Sequence, residues 1–153
     1  MLSVRPAVAR YAVIESALVC PIKGAGASAE MMKLFYGLTK KRWFAKWQAK
    51  ALCVPDHLFE RYFEDSMRIS KLSLVSITKS NGRFELNKDI SGTTATVLVL
   101  AGKKEIAVMK KSAGMIHEAI PGSVLRIIPN MKHGEFSLTR PSAYVAMLKD
   151  FFK

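Results

Sequence analysis

The sequence has few cysteines, few acidic residues and no long hydrophobic run. Two cysteines in 153 residues, at unrelated positions, argue against a disulfide scaffold and predict reduced thiols in a cytoplasmic protein. No apolar run approaches the roughly 20 residues that a membrane-spanning helix needs. Acidic residues number 12 against 24 basic ones, a formal net charge of +12. So basic a chain raises the question of an anionic partner.

The densest basic segment, residues 40–50, interleaves lysine and arginine with aromatic residues. Its sequence, Lys-Lys-Arg-Trp-Phe-Ala-Lys-Trp-Gln-Ala-Lys, would suit phosphate contacts and base stacking. The alternative is an amphipathic helix in which Phe44, Trp47 and Ala51 share the inward stripe and the lysines lie mostly off it. No nucleic-acid motif accompanies the charge, so we favour the helix and predict no specific nucleic-acid partner.

Hydrophobic patterning predicts a small parallel sheet packed with helices. Apolar runs predict strands at residues 11–19, 96–101 and 124–128. Between the last two, apolar residues recur at helical spacing until Pro121-Gly122 stops the helix, and Pro141 opens a final helix. With so few strands, the first would keep an exposed apolar edge, which would allow self-association.

The middle of the chain is helical and differs from its flanks. Ser28, Thr39 and Pro55 are predicted to start three successive helices, the third continuing to about Leu72. Asn81-Gly82 marks a turn in the polar return to the following strand.

Two residues able to carry acid-base chemistry follow successive predicted strands. Glu105 ends the run Val-Leu-Val-Leu-Ala-Gly-Lys-Lys-Glu, and His133 lies four residues after Pro129. A carboxylate at the end of a strand is rigidly placed, and a histidine can transfer protons near neutral pH. A histidine alone in such a loop would more often be an ordinary surface residue. The order strand, acid, helix, strand, histidine, helix is what makes the pair informative.

In that order the sequence resembles the α/β-hydrolase family. The match covers residues 94–152, with Gly-x-Lys-Glu at 102–105, Ile-Pro before the histidine and Pro-x-x-Tyr at the start of the last helix. It extends more weakly to residues 5–19, which look like the helix end and strand that follow the nucleophile in these enzymes.

The resemblance implies an α/β fold, a partial α/β-hydrolase fold in which a parallel sheet is flanked by helices. Residues 1–153 would form the carboxy-terminal part of one such domain. Residues 28–78 would be its helical cap insertion, and residues 93–153 its acid- and histidine-bearing core.

The resemblance also implies roles for the pair. His133 would be the general base and Glu105 the orienting acid of a Ser-His-Glu triad that hydrolyses an ester or related acyl bond. The family's nucleophile lies in Gly-x-Ser-x-Gly, which this sequence lacks: Ser28 has a glycine two residues before it but a glutamate two after. We therefore expect Met1 to fall within the helix that follows the nucleophile, and the chain to be inactive alone.

Aromatic residues of the cap region would line an apolar pocket for a small ester or acyl substrate. They are Phe35, Trp43, Trp47 and Phe63. The alternative is that these side chains pack the cap against itself and the sheet. No metal is predicted, because the histidines and cysteines have no ligand spacing. No organic cofactor is predicted either, and Gly24-x-Gly26 lacks the remaining glycine of a dinucleotide-binding loop.

Two other classes of function stay open. The chain would be a non-catalytic remnant or a partner subunit that pairs with a separate amino-terminal half. Alternatively, it would be a basic module that binds nucleic acid or an anionic surface. Whether the chain takes part in catalysis depends on which of these readings holds.

Overall fold

The computed structural model describes the backbone of residues 1–153 and the side chains of residues 1–24 and 26–153. The chain divides into two compact units. The sheet unit comprises residues 1–20 and 85–153, and the helical unit comprises residues 21–84. The predicted insertion at 28–78 falls inside the second range.

A three-stranded parallel sheet forms the centre of the sheet unit. Its strands are β1 (Tyr11–Glu15), β2 (Thr96–Gly102) and β3 (Val124–Ile128), in the order β1-β2-β3. Tyr11 pairs with Thr96, and Leu98 pairs with Val124. All three strands therefore end at the same edge of the sheet, as the predicted parallel arrangement requires.

The first strand is shorter than its sequence predicts. The apolar run suggested a strand as far as Val19, but β1 ends at Glu15 because Ser16 adopts a left-handed backbone conformation with φ of 52°. Its amide still donates to the carbonyl of Leu100 at 2.9 Å. Val19 is nonetheless buried in the core, so core packing rather than strand pairing accounts for the rest of the apolar run.

The core lies between the sheet and helix α5 (Ala107–Ala119). Alternate residues of β2 face this helix, which is the period-2 pattern of a strand. The buried cluster includes Val97, Val99, Ala101, Ala113, Ile116 and Ile120. Leu98 and Leu100, on the opposite face of β2, are also fully buried. Burial on both faces is typical of a central parallel strand.

Two further helices follow β3. They are the short α6 (Glu135–Thr139) and α7 (Pro141–Phe151), which begins with proline as predicted. The rings of Tyr11 and Phe152 lie 4.6 Å apart. Tyr11 alternates with the core-facing Ala12, so the end of α7 packs on the sheet face opposite α5.

The helical unit contains α1 (Ala25–Thr39), α2 (Arg42–Ala51), α3 (Phe59–Arg68) and α4 (Lys71–Arg83). Lys40 follows α1 and its ammonium reaches the end of α3. It donates to the carbonyls of Ser66, Met67 (3.1 Å) and Ile69 (2.6 Å). A cation on exposed helix-terminal carbonyls is favourable both as a donor and toward the helix dipole.

The helix boundaries within this unit differ from the predicted ones. Ser28 lies inside α1, which starts after Gly24, a glycine with φ of 81°. The Thr39 hydroxyl donates back to the carbonyl of Tyr36 at 2.7 Å, so it does not cap α2. Serine and threonine side chains can hydrogen-bond to nearby backbone groups both where a helix begins and where it ends. The sequence alone does not tell these two positions apart.

The third predicted helix is in fact two helices. A 3-10 turn at Asp56–Leu58 follows Pro55, and α3 ends at Arg68. Ser70 then caps α4 by accepting from the amide of Ser73 at 3.0 Å. Asn81 and Gly82, predicted as a turn, belong to the last turn of α4.

No helix in the described part of the chain is long and apolar enough to span a membrane.

Candidate active site

The carboxylate of Glu105 is buried at the edge where the strands end. A tight turn after β2 brings its amide to the carbonyl of Gly102 at 3.1 Å, and its side chain is 0% exposed. Oε1 accepts from the amide of Gly102 at 2.8 Å and from the hydroxyl of Ser16 at 2.7 Å. A buried carboxylate is stable only where donors replace water, and these two donors do so.

His133 faces the second oxygen of this carboxylate. Its Nδ1 lies 3.4 Å from Oε2 of Glu105, and its side chain is 58% exposed. An ionised carboxylate only accepts hydrogen bonds, so Nδ1 of His133 is the donor in this contact. In a neutral imidazole that donates through Nδ1, Nε2 carries the lone pair and is the nitrogen able to take a proton from another group.

The loop that carries His133, residues 129–134 and here called the histidine loop, packs directly on the end of β2. The amide of Lys104 donates to the carbonyl of Met131 at 2.9 Å. A Cβ atom on Gly102 would lie 2.2 Å from the carbonyl oxygen of Met131 and 2.7 Å from that of Lys132. Only glycine at position 102 permits this approach, and the approach brings His133 to Glu105.

Ser16 is a site residue that sequence reasoning missed. Its hydroxyl donates to Glu105 and accepts from the amide of Gly134 at 3.0 Å. The signal in the sequence is the polar pair Glu15-Ser16, which interrupts the apolar run of residues 11–19. It was hidden because residues 11–19 were predicted as one strand, which placed Ser16 in the strand's interior.

Glu15, the last residue of β1, contacts the backbone of α6. Its Oε1 accepts from the amide of Ser137 at 3.4 Å. Burial raises the pKa of the Tyr144 hydroxyl, and the negative charge of Glu15 raises it further. The Tyr144 ring packs edge-on against Phe136 at 5.6 Å.

The four aromatic residues predicted to line a pocket lie in the helical unit. Trp43 and Trp47 are 65% and 64% exposed, and Phe35 is 48% exposed. Phe63 stacks on Phe59, and the Arg42 guanidinium lies over both rings. A cavity of about 120 Å³ in this unit has a different lining, which includes Met32, Tyr62, Ser66 and Leu74.

The exposed face of α2 combines aromatic and basic side chains. Trp43, Lys46, Trp47 and Lys50 are exposed, whereas Ala45 and Ala49 are the residues this helix buries. The predicted inward stripe is therefore wrong for Trp47 and Ala51, which are both exposed, whereas Phe44 is half-buried. Alanine lets the neighbouring helices approach closely, so the inward face of α2 leaves little room for an indole ring.

Among the described side chains, no group of three or more histidine, cysteine, aspartate or glutamate residues is placed to hold a metal ion. His57 lies in the 3-10 turn before α3. Nδ1 of His117, in α5, forms a hydrogen bond at 2.9 Å with the hydroxyl of Ser123, which lies in the turn after this helix.

The chain is similar to known proteins in its three-dimensional structure and not in its sequence. No protein-family profile and no curated protein sequence matches the chain. A serine hydrolase involved in carbazole degradation matches 99% of the chain with a TM-score of 0.71 and 15% identity. An esterase from Exiguobacterium antarcticum matches 94% with a TM-score of 0.67 and 14% identity. A bromoperoxidase from Bacillus anthracis matches 92% with a TM-score of 0.66 and 18% identity.

These solved structures share the α/β-hydrolase fold, and the chain has part of that fold, as its sequence predicts. The chain spans 57%, 57% and 56% of the three solved chains. At these identities the likeness establishes the fold and leaves the chemistry to be argued from the site.

Proposed function

We propose that this part of an α/β-hydrolase fold supplies the base and the orienting acid for hydrolysis of a carboxylic ester or a related acyl bond. One observation carries the proposal: Nδ1 of His133 faces the fully buried carboxylate of Glu105 at 3.4 Å. Such contacts are often long without substrate and shorten when the reacting groups are bound.

The geometry supports a defined path for the proton. Nε2 of His133 takes the proton of a serine hydroxyl as its oxygen attacks the acyl carbon, and the imidazolium formed is stabilised by Glu105. His133 then gives that proton to the leaving alcohol. Water repeats the sequence on the acyl-enzyme, releasing the acid and restoring the serine. Glu105 fixes the tautomer of the histidine and does not take up the transferred proton.

The serine of this path is proposed to come from a segment outside these 153 residues. The sequence holds no Gly-x-Ser-x-Gly, and Ser16 bonds to the acid rather than to the base. Among the described residues, β1 pairs with β2 on one side only, which leaves an edge able to accept a further parallel strand. A nucleophile-bearing half, continuous with the chain or separate from it, would extend the sheet there. The open edge would equally allow self-association.

The test supplies that half. The chain is produced with an amino-terminal segment that carries Gly-x-Ser-x-Gly, fused or co-expressed, and hydrolysis of short-chain nitrophenyl esters is followed. We expect no hydrolysis by the chain alone, and activity when the segment is present.

Variants of the completed protein assign the roles. His133→Ala should lower kcat by at least about 10³-fold, and Glu105→Gln by a smaller factor. His117→Ala is the matched control, since that histidine contacts Ser123 instead of Glu105, and it should leave the rate unchanged. Nucleophile-dependent activity that survives His133→Ala would show that the base is wrongly assigned.

A second candidate function rests on the exposed face of α2. Residues 21–84 contain twelve lysine and arginine residues and five acidic ones, and Trp43 and Trp47 stand among the lysines of this face. Such a surface suits an anionic polymer or membrane. Binding to heparin or single-stranded RNA that persists at moderate salt and is lost in Trp43→Ala/Trp47→Ala would favour it. Equal binding by that variant would leave only non-specific charge attraction.

A further inference from the structure

Ser16 lies where β1 ends, between the acid and the loop of the base. Its hydroxyl has one proton and two lone pairs. The proton goes to Oε1 of Glu105 at 2.7 Å, and a lone pair accepts from the amide of Gly134 at 3.0 Å. One small side chain thereby bonds both to the carboxylate and to the residue that directly follows His133.

We propose that Ser16 is a positioning residue that holds Glu105 and the histidine loop in one arrangement, so that Oε2 is presented to Nδ1 of His133. This inference rests on the proposed function, because it assigns Ser16 a role in preparing that base. It adds a third residue to the acid and base already described.

The hydrogen bonds of Glu105 explain how the positioning works. Ser16 and the amide of Gly102 both donate to Oε1, at 2.7 and 2.8 Å. The terminal torsion of a glutamate side chain is broad, so one donor alone leaves the carboxylate free to swing. Two donors on the same oxygen define the carboxylate plane. Oε2 is then the oxygen left for His133.

The backbone of Ser16 gives independent support. Its φ of 52° lies in the left-handed region, which is unfavourable for a residue other than glycine. Glycine would occupy this conformation without that cost but would bring no hydroxyl. Strained residues persist where the surrounding structure holds them, and they concentrate at functional sites.

The test records the ¹⁵N NMR spectrum of the imidazole rings in the full chain, which has three histidines. The His133 signals are identified as those that disappear in His133→Ala. The wild-type chain should hold neutral His133 as the Nδ1–H tautomer. Ser16→Ala should weaken that preference and speed exchange of the Gly134 amide by about tenfold, the effect of one lost hydrogen bond.

Two further variants keep the result interpretable. Ser137→Ala is the matched control, because its hydroxyl contacts the carbonyl of Gly134 at 3.4 Å and does not bond to Glu105. It should leave the His133 tautomer as in wild type. Ser16→Gly removes the hydroxyl together with the backbone strain, so it should remain folded and reproduce the tautomer change of Ser16→Ala.

The outcomes separate the two proposals. If wild-type His133 is the Nε2–H tautomer, the base assignment fails and the role of Ser16 fails with it. If wild type is Nδ1–H and both Ser16 variants keep that tautomer and the slow Gly134 exchange, the role of Ser16 is overturned while the base assignment stands. In the completed hydrolase, Ser16→Ala should lower kcat and leave KM nearly unchanged, since the Ser16 hydroxyl is engaged by Glu105 and the Gly134 amide.

Discussion

Replacing Gly102 with alanine would place a methyl group against the backbone of the histidine loop. The new Cβ would lie 2.2 Å from the carbonyl oxygen of Met131, and real Cβ atoms essentially never approach closer than 3.0 Å. The loop must therefore retreat by at least about 0.8 Å, the difference between these distances. Both obstructing atoms belong to the backbone, so no side-chain rotation relieves the clash.

The size of the effect follows from what the retreat breaks. The amide of Lys104 donates to the same Met131 carbonyl at 2.9 Å, and a retreat of about 0.8 Å takes that contact beyond hydrogen-bonding distance. The lost bond costs about 1 kcal/mol and the overpacking about 1–3 kcal/mol. We expect the free energy of unfolding of Gly102→Ala to fall by about 2–4 kcal/mol.

Urea unfolding followed by far-ultraviolet circular dichroism measures this loss. Gly114→Ala is the matched control, because Gly114 lies inside α5 and a Cβ there meets nothing within 4 Å. Alanine in a helix interior should raise stability by about 0.5–1 kcal/mol. The close approach of loop and strand is refuted if Gly102→Ala unfolds within about 0.5 kcal/mol of wild type with the same slope.

Two further predictions concern other parts of the chain. Lys40→Met removes the cation from the last carbonyls of α3, and the free energy of unfolding, followed by tryptophan fluorescence, should fall by about 1–2 kcal/mol. The exposed Lys41→Met should change it by under about 0.5 kcal/mol, and equal effects would deny the capping role. The pKa of the Tyr144 hydroxyl is raised in the folded protein above its unfolded value of about 10. The contribution of the neutral hydroxyl to stability is therefore fully present below the unfolded pKa and is lost as the pH rises through the folded pKa. Tyr144→Phe should therefore flatten the alkaline decline in urea stability, and an unchanged decline would contradict the assignment.

Much of the architecture was predictable from local patterns. The buried runs of β2 and β3, the helix between them and the proline that opens α7 all depend on residues close together in the chain. The order of these elements was enough to single out Glu105 and His133, which lie 28 residues apart and 3.4 Å from each other in the structure. Their catalytic roles remain a prediction, which the variants above test.

Other features depend on contacts that no local pattern encodes. β1 ends before Ser16, whose hydroxyl bonds to Glu105 and Gly134, 89 and 118 positions further along the chain. The outward position of Trp47 likewise depends on which face of α2 its neighbouring helices cover. An amphipathic pattern with alanine on one side and tryptophan on the other does not say which side is covered, since small residues suit close packing and large ones supply apolar area.

The sequence by itself determined the elements, their order and the presence of an acid and a base after successive strands, because helix and strand periods are properties of neighbouring residues. Only the tertiary structure decided that Ser16 joins the acid to the histidine loop and that Gly102 must lack a side chain. Both depend on the distance between backbones brought together by parallel pairing, and that distance is set by packing across the whole sheet unit.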